Sequence, residues 1–175
     1  MVNTNKLADP PGETVFLLVE DDENDAYLVE REWQRGAPSH IKLKHVPDGV
    51  EAVRYLSGEG EYGDRENFPI PNVILLDLKM PRFSGFDFLR WLHRDAVAPL
   101  GLIPVLVLSS STEPEDVARA YALGANTYLI KPLNWRKFQD CVRMLGVYWT
   151  EHAVTPDVTR VAPGNGKLAF KDLHE

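Results

Sequence analysis

Apolar residues along this chain fall into two kinds of segment, and the two kinds alternate. Short apolar runs predict β-strands at residues 15–19, 41–46, 73–77, 105–108 and 127–130. Between them, apolar residues recur every three or four positions, which predicts helices over about 22–35, 50–57, 86–95, 113–123 and 134–150. Strands that alternate with helices of these lengths predict an α/β fold, a doubly wound five-stranded parallel sheet with helices on both faces.

The remaining segments are rich in glycine, proline and acidic residues. Residues 58–71 hold three glycines and two prolines and are predicted to form a long surface loop. Residues 1–13 are polar and predict a flexible N-terminal arm, and residues 152–175 predict a C-terminal tail. A single globular domain is therefore expected over residues 14–151.

Composition narrows the class of protein. The 175 residues carry a formal net charge of −7 without a block of Lys or Arg, which argues against a nucleic-acid surface. The single cysteine, Cys141, excludes an intrachain disulfide and a zinc site built from clustered cysteines. No apolar run approaches the length of a membrane span, and a cytoplasmic protein is expected.

Polar residues of particular types follow four of the five predicted strands. Glu20, Asp21 and Asp22 follow the first strand, and Asp77 ends the third; Ser109 follows the fourth, and Lys131 the fifth. Because parallel strands share their carboxyl edge, we expect several carboxylates, one hydroxyl and one ammonium in a single crevice.

Carboxylates packed this closely repel one another, so some must be protonated or share a cation, and oxygen ligands of this kind suit Mg²⁺. One carboxylate could then attack phosphorus and form an aspartyl phosphate. The metal, the ammonium of Lys131 and the hydroxyl of Ser109 would surround the phosphoryl oxygens. The set is chemically sufficient for phosphoryl transfer onto Asp77.

The sequence resembles a receiver domain of a two-component response regulator over roughly residues 14–151. Four motifs carry the resemblance, each at a predicted strand end: Leu18-Val19-Glu20-Asp21-Asp22, Leu76-Asp77-Leu78-Lys79-Met80-Pro81 with Gly85, Val107-Leu108-Ser109-Ser110, and Tyr128-Leu129-Ile130-Lys131-Pro132. The resemblance implies the flavodoxin-like strand order 2-1-3-4-5. It also implies a phosphoacceptor that catalyses only its own phosphorylation and slow dephosphorylation, not an enzyme acting on other molecules.

The resemblance also assigns roles to residues of the predicted crevice. Asp77 matches the phosphoacceptor, Asp21 the direct metal ligand and Glu20 the acid that holds metal through water. The remaining matches are a metal-binding backbone carbonyl at Lys79, a switch hydroxyl at Ser109, the phosphoryl-binding Lys131 and the aromatic switch residue Tyr128. The metal would be Mg²⁺, with Mn²⁺ as an alternative, and the Lys131–Pro132 bond is expected to be cis. Asp22 is interpreted as a helix cap instead.

One position departs from the family pattern. Lys79 places a cation two residues after the phosphoacceptor, where the family is often neutral, and we expect it to alter the lifetime of the aspartyl phosphate. The main alternative is a degenerate receiver that acts as an interaction module without phosphorylation, although such domains usually lack one of the matched residues. An NTPase would need a phosphate-binding loop, and an aspartyl phosphatase a second Asp in place of Lys79; the chain has neither.

The expected output is protein–protein contact, since the 25 residues after Thr150 are too few for a DNA-binding module. The long loop at 58–71 and the extended last helix resemble stand-alone receivers that pair with phytochrome-type histidine kinases. The implied partners are a sensor histidine kinase, here of the phytochrome type, or a phosphotransfer protein. A homodimer through helix 4, strand 5 and helix 5 is also expected, with the tail embracing the second chain.

Overall fold

Five apolar segments form one parallel sheet at the centre of the protein. The structure, a computed structural model, describes residues 14–36, 41–156 and 158. The strands are β1 (Thr14–Val19), β2 (Ile41–Val46), β3 (Val73–Leu76), β4 (Val105–Ser109) and β5 (Thr127–Ile130). They lie in the order β2-β1-β3-β4-β5, and every neighbouring pair is parallel. The predicted fold class and strand order are confirmed.

A helix follows each strand, as the alternating pattern predicted. The helices are α1 (Glu23–Gly36), α2 (Gly49–Ser57), α3 (Gly85–Arg94), α4 (Pro114–Ala122) and α5 (Trp135–Val147). A π-helical turn, Tyr148–His152, continues α5, so the last helical segment is as long as predicted but changes its hydrogen-bonding pattern. No helix in the described part of the chain is long and apolar enough to cross a membrane.

Polar side chains at the helix starts explain where the helices begin. The Asp22 carboxylate accepts hydrogen bonds from the backbone N–H groups of Asn24 and Asp25, which confirms Asp22 as a cap. Asp48 caps α2, and Ser84 with Asp87 forms a capping box on α3. At α4, Glu113 occupies the cap position and Pro114 opens the helix.

The three central strands, β1, β3 and β4, are buried on both faces, and the sheet divides the core into two layers. Leu17 and Val19 face the layer formed with α2, α3 and part of α4, whereas Phe16 and Leu18 face the layer formed with α1 and α5. Adjacent strand residues point to opposite faces of a sheet, so continuous apolar runs supply both layers. Burial on both faces determines the position of the sheet in the core, and therefore the position of the polar residues that follow its strands.

The segment 58–71 is folded onto α2 and is less of a surface loop than predicted. A 3₁₀ turn, Gly60–Gly63, carries Tyr62, which is only 8% exposed and packs against Tyr55 and Phe68. The Arg65 guanidinium donates hydrogen bonds to the backbone carbonyls of Tyr55, Leu56 and Phe68 at 2.9, 2.9 and 3.2 Å. The cation therefore satisfies carbonyls at the C-terminal end of α2 that have no partner within the helix.

The predicted arm at residues 1–13 lies outside the described residues, and so does most of the predicted tail at 152–175. The domain limits at 14 and 151 stay predictions.

Candidate functional site

The carboxyl ends of β1, β3, β4 and β5 bring the predicted site residues to one edge of the sheet. Glu20 and Asp21 follow β1, Asp77 follows β3, and Lys131 follows β5. The Asp77 N–H donates to the carbonyl of Val19 at 3.0 Å, and the Lys131 N–H donates to the carbonyl of Ser109 at 2.8 Å. Backbone pairing between neighbouring strands thus continues into the site and fixes where these side chains start.

Three carboxylates form the centre of the site. Glu20, Asp21 and Asp77 each offer an oxygen, and these oxygens all lie within 4.8 Å of one another. Glu20 and Asp77 are only 2% and 5% exposed, whereas Asp21 is exposed to solvent. Two buried carboxylates and one exposed carboxylate supply oxygen ligands on the protein side and leave the other side accessible to solvent. This arrangement suits a divalent cation.

Lys131 is the cation that faces these acids in the described structure. Its Nζ lies 2.7 Å from Glu20 Oε2, 2.8 Å from Asp25 Oδ2 and 3.6 Å from Asp77 Oδ1, and its side chain is 11% exposed. Burial alone would lower the pKa of Lys131. The charges of Glu20 and Asp77, together with the hydrogen bonds to Asp25 and Glu20, outweigh burial and hold that pKa above its usual value.

The two buried acids are not fully neutralised by Lys131. Burial raises the pKa of Glu20 to about 7 although Lys131 acts in the opposite direction. Burial also raises the pKa of Asp77, and this too exceeds the lowering by Lys131 and by backbone N–H groups. Burial disfavours the charged forms of both acids, and three carboxyl groups face one ammonium at this edge, so the donor set fits a bound metal ion.

Asp77 is oriented by the loop that follows β3. Its Oδ2 accepts a hydrogen bond from the Lys79 N–H at 2.8 Å, and its Oδ1 faces Lys131. The backbone of Gly85 packs directly against this loop. A Cβ at position 85 would overlap the Asp77 carbonyl oxygen and lie 2.7 Å from Leu78 Cα, so only glycine fits there. The Lys79 side chain itself is exposed.

Ser109 and Tyr128 belong to a hydrogen-bonded group beside the acids. Ser109 is fully buried, and its Oγ accepts a hydrogen bond from the Ser111 N–H at 3.3 Å. The Tyr128 hydroxyl donates to the Ser111 carbonyl at 3.0 Å, and the Tyr128 N–H donates to the Tyr121 hydroxyl at 3.2 Å. Both residues therefore lie against the segment between β4 and α4.

Two features of the site differ from the sequence analysis. Asp25 was not among the predicted site residues, yet it binds Lys131 directly; its position in the first turn of the helix after β1 was the available signal. The expected cis bond at Lys131–Pro132 is wrong, since the cis bond in the described residues is Ala98–Pro99. The trans form of an X–Pro bond is favoured by only about 0.5–1 kcal/mol, so local sequence does not decide between the two forms.

The carboxyl end of β2 does not contribute to the acid cluster. Asp48 follows β2 and is buried, but one oxygen accepts the Glu51 N–H and the other pairs with Arg82. Arg82 lies in the loop after Asp77 and has a positive φ of 65°. Asp48 therefore joins the loops that follow β2 and β3, and it is not part of the set around Lys131.

Comparison with known proteins assigns the class of protein that this fold and site define. The response regulator receiver domain family matches residues 16–143, and the chain belongs to that family. Receiver domains accept phosphoryl groups from histidine kinases or phosphotransfer proteins in two-component signalling.

Particular relatives are also similar over most of their length. The chain is 36% identical to the response regulator Rcp1 of Synechocystis sp. over 149 residues, which cover 85% of this chain and 96% of Rcp1. The crystal structure of the Mn²⁺-bound form of Rcp1 matches with a TM-score of 0.72 at 35% identity, covering 82% of this chain and 99% of that one. The phosphorylated cyanobacterial phytochrome response regulator RcpA matches with a TM-score of 0.76 at 32% identity, covering 83% and 99%.

Proposed function

We propose that this chain accepts a phosphoryl group on Asp77 from a histidine kinase and transmits the signal through contacts with other proteins. The observation that carries the proposal is the cluster of Glu20, Asp21 and Asp77 within 4.8 Å, with Lys131 at the same edge. The similarity to the Mn²⁺-bound structure of Rcp1 and to the structure of phosphorylated RcpA supports it.

Glu20, Asp21 and Asp77 would hold the divalent cation, together with the backbone carbonyl of Lys79. Mg²⁺ is the proposed ion, and Mn²⁺ would serve in its place. When bound, the ion would neutralise the carboxylates and the charge that develops on the phosphoryl oxygens. The raised pKa of Glu20 is consistent with this role, because a buried acid without a full complement of positive charge favours a cation.

Asp77 would be the nucleophile. One carboxylate oxygen forms a bond to phosphorus while the phosphorus–nitrogen bond of the kinase phosphohistidine breaks. The imidazole nitrogen leaves with the electron pair of that bond. The Lys79 N–H bound to Asp77 Oδ2 orients the carboxylate before the attack.

Lys131 and Ser109 would bind the transferred group. The ammonium of Lys131 is 3.6 Å from Asp77 Oδ1 and would pair with a phosphoryl oxygen. Ser109 Oγ uses a lone pair on the Ser111 N–H, which leaves its own O–H free to donate to a second oxygen. Since Tyr128 is bonded to the Ser111 carbonyl, movement of this segment toward phosphate would also move the aromatic switch residue.

An intact-mass measurement tests the acceptor. The protein is incubated with acetyl phosphate and Mg²⁺, and we expect the mass of one added phosphoryl group that disappears in Asp77→Asn. Asp140→Asn is the matched control, since Asp140 is an exposed acid on α5 and should leave the addition unchanged. Absence of added mass, or addition that persists in Asp77→Asn, would refute phosphorylation at Asp77 and favour the degenerate receiver.

The proposed partners follow from the relatives. RcpA is a cyanobacterial phytochrome response regulator, and we propose a phytochrome-type histidine kinase as the donor to this chain, in the cytoplasm. Phosphoryl transfer from such a kinase to wild type, and not to Asp77→Asn, is the expected result. Equal transfer from unrelated kinases would contradict the pairing.

The face formed by α4, β5 and α5 is the proposed homodimer interface. It exposes Tyr121, Ile130 and Met144, three large apolar side chains on adjacent elements. A two-fold contact would bury the same patch on both copies. Light scattering should show a dimer that Ile130→Ser weakens, while Leu102→Ser, an equally exposed apolar residue outside this face, does not. A monomer at high concentration, with and without phosphorylation, would contradict the interface.

A further inference from the structure

Asp25 is an acid that contacts Lys131 but lies outside the cluster of Glu20, Asp21 and Asp77. Its Oδ2 is 2.8 Å from the Lys131 Nζ, which is closer than the 3.6 Å between that Nζ and Asp77 Oδ1. Its side chain is 37% exposed, whereas that of Lys131 is 11% exposed. The ammonium therefore rests nearer to α1 than to the proposed phosphoacceptor.

The start of α1 fixes Asp25 in this position. Its backbone N–H donates to the Asp22 carboxylate at 3.0 Å, and the Ala26 N–H donates to the Asp22 carbonyl at 2.9 Å. A capped first turn has little freedom, so the Asp25 side chain begins from a defined point within reach of Lys131. The contact with Lys131 spans 106 positions of sequence, and thus it depends on the assembled sheet edge.

This inference rests on the proposed function, in which metal binding and phosphorylation change the groups that contact the ammonium of Lys131. Once Glu20 serves a metal ion, Asp25 is the carboxylate that remains in direct contact with the ammonium. A phosphoryl group on Asp77 would need the same ammonium, and like-charged groups compete for one cation. We infer that Asp25 is a positioning residue that holds Lys131 away from Asp77 and competes with the bound phosphoryl group for its ammonium.

The consequence is that Asp25 weakens the phosphorylated state. Removing its charge frees Lys131 to move toward Asp77 and also removes a negative charge near the phosphoryl oxygens. For a partly exposed pair at this separation, the expected gain in affinity for a phosphoryl mimic is about three- to tenfold.

Beryllofluoride, BeF₃⁻, is the probe, because it occupies the place of a phosphoryl group without forming the acyl phosphate. Its dissociation constant is measured by titration calorimetry on the full chain in Mg²⁺, for wild type, Asp25→Asn and Asp25→Glu. We expect about three- to tenfold tighter binding by Asp25→Asn and a wild-type constant for Asp25→Glu, which keeps the charge. Thermal melting establishes that each variant is folded, and Asp25→Ser replaces Asp25→Asn if the latter is not.

Glu23→Gln is the matched control, since Glu23 is an exposed acid in the same first turn of α1. A merely structural or general electrostatic role would change melting temperature, or would raise the affinity equally in Glu23→Gln and Asp25→Asn. Either that equality or an unchanged constant in Asp25→Asn would overturn the inference. Failure of wild type itself to bind beryllofluoride would instead refute the proposed function.

Discussion

Replacing Glu20 by glutamine tests how much stability the buried acid costs the folded protein in the absence of metal. Glu20 is 2% exposed, and burial raises its pKa from 4.5 to about 7 despite the nearby Lys131. The folded protein therefore keeps this proton to a higher pH than the unfolded chain does. Protonation favours the folded state, so the free energy of unfolding falls as pH rises from about 4.5 to about 7.

The size of the effect follows from the shift. A rise in the pKa of Glu20 from 4.5 to about 7 lowers the free energy of unfolding by about 3 kcal/mol above pH 7. Between pH 4.5 and 7 only part of this stability is lost. Glutamine has a similar shape and can accept a hydrogen bond from Lys131, but it has no charge to desolvate. We expect Glu20→Gln to be more stable than wild type by about 1–3 kcal/mol at pH 8 in a chelator, and about equal below pH 4.5.

Urea unfolding at pH 4, 6 and 8 with chelator measures this difference, and adding Mg²⁺ should reverse it. Wild type would gain about 3 kcal/mol at a metal concentration one hundred times its dissociation constant, whereas the variant has lost a ligand. Glu115→Gln serves as a control, because Glu115 is an exposed acid in the first turn of α4 and lies outside the acid cluster. A variant less stable than wild type at pH 8 without metal, or a difference that does not depend on pH, would refute the reasoning.

Other predictions concern the loops around the site. Lys79→Asn should change the dephosphorylation rate of the aspartyl phosphate, and an unchanged rate would end the hypothesis that this cation alters its lifetime. Gly85→Ala should lower the free energy of unfolding by about 1–3 kcal/mol because the new Cβ meets the backbone of Asp77 and Leu78; denaturant titration that shows no loss would contradict the close approach. Arg65→Ala should cost about 2 kcal/mol in the same assay, since three carbonyls lose the hydrogen bonds that the guanidinium donates. Arg94→Ala, which removes an exposed arginine at the end of α3, should cost little.

Asp77 could be placed from sequence because its position depends on local pattern and topology. An apolar run that is buried on both faces has to end at the sheet edge, and parallel strands share that edge. Glu20, Ser109 and Lys131 were assigned to the same edge by the same argument, and the structure places them there. The cap at Asp22 was also predictable, because capping depends on residues only two and three positions away.

The partners of the charged side chains required the tertiary structure. Lys131 reaches Asp25 across 106 positions, and Arg82 reaches Asp48 across 34, with no periodicity in the sequence to indicate either pair. Arg65 likewise binds carbonyls at the end of α2, so the segment that was predicted as a surface loop packs on that helix. Long side chains have many rotamers, and the choice among competing acids depends on burial and on neighbours from other elements.

The sequence by itself determined the strands, the helices between them and the identity of the groups at the carboxyl edge, since apolar periodicity is a property of short segments. The order of the strands was implied by the resemblance to receiver domains. Only the tertiary structure decided how the charge at that edge is distributed. It buries Glu20 and Asp77 while leaving Asp21 exposed, and it holds the ammonium of Lys131 between Glu20 and Asp25 rather than on Asp77. The physical reason is that desolvation and Coulomb interactions depend on distances between segments far apart in the chain.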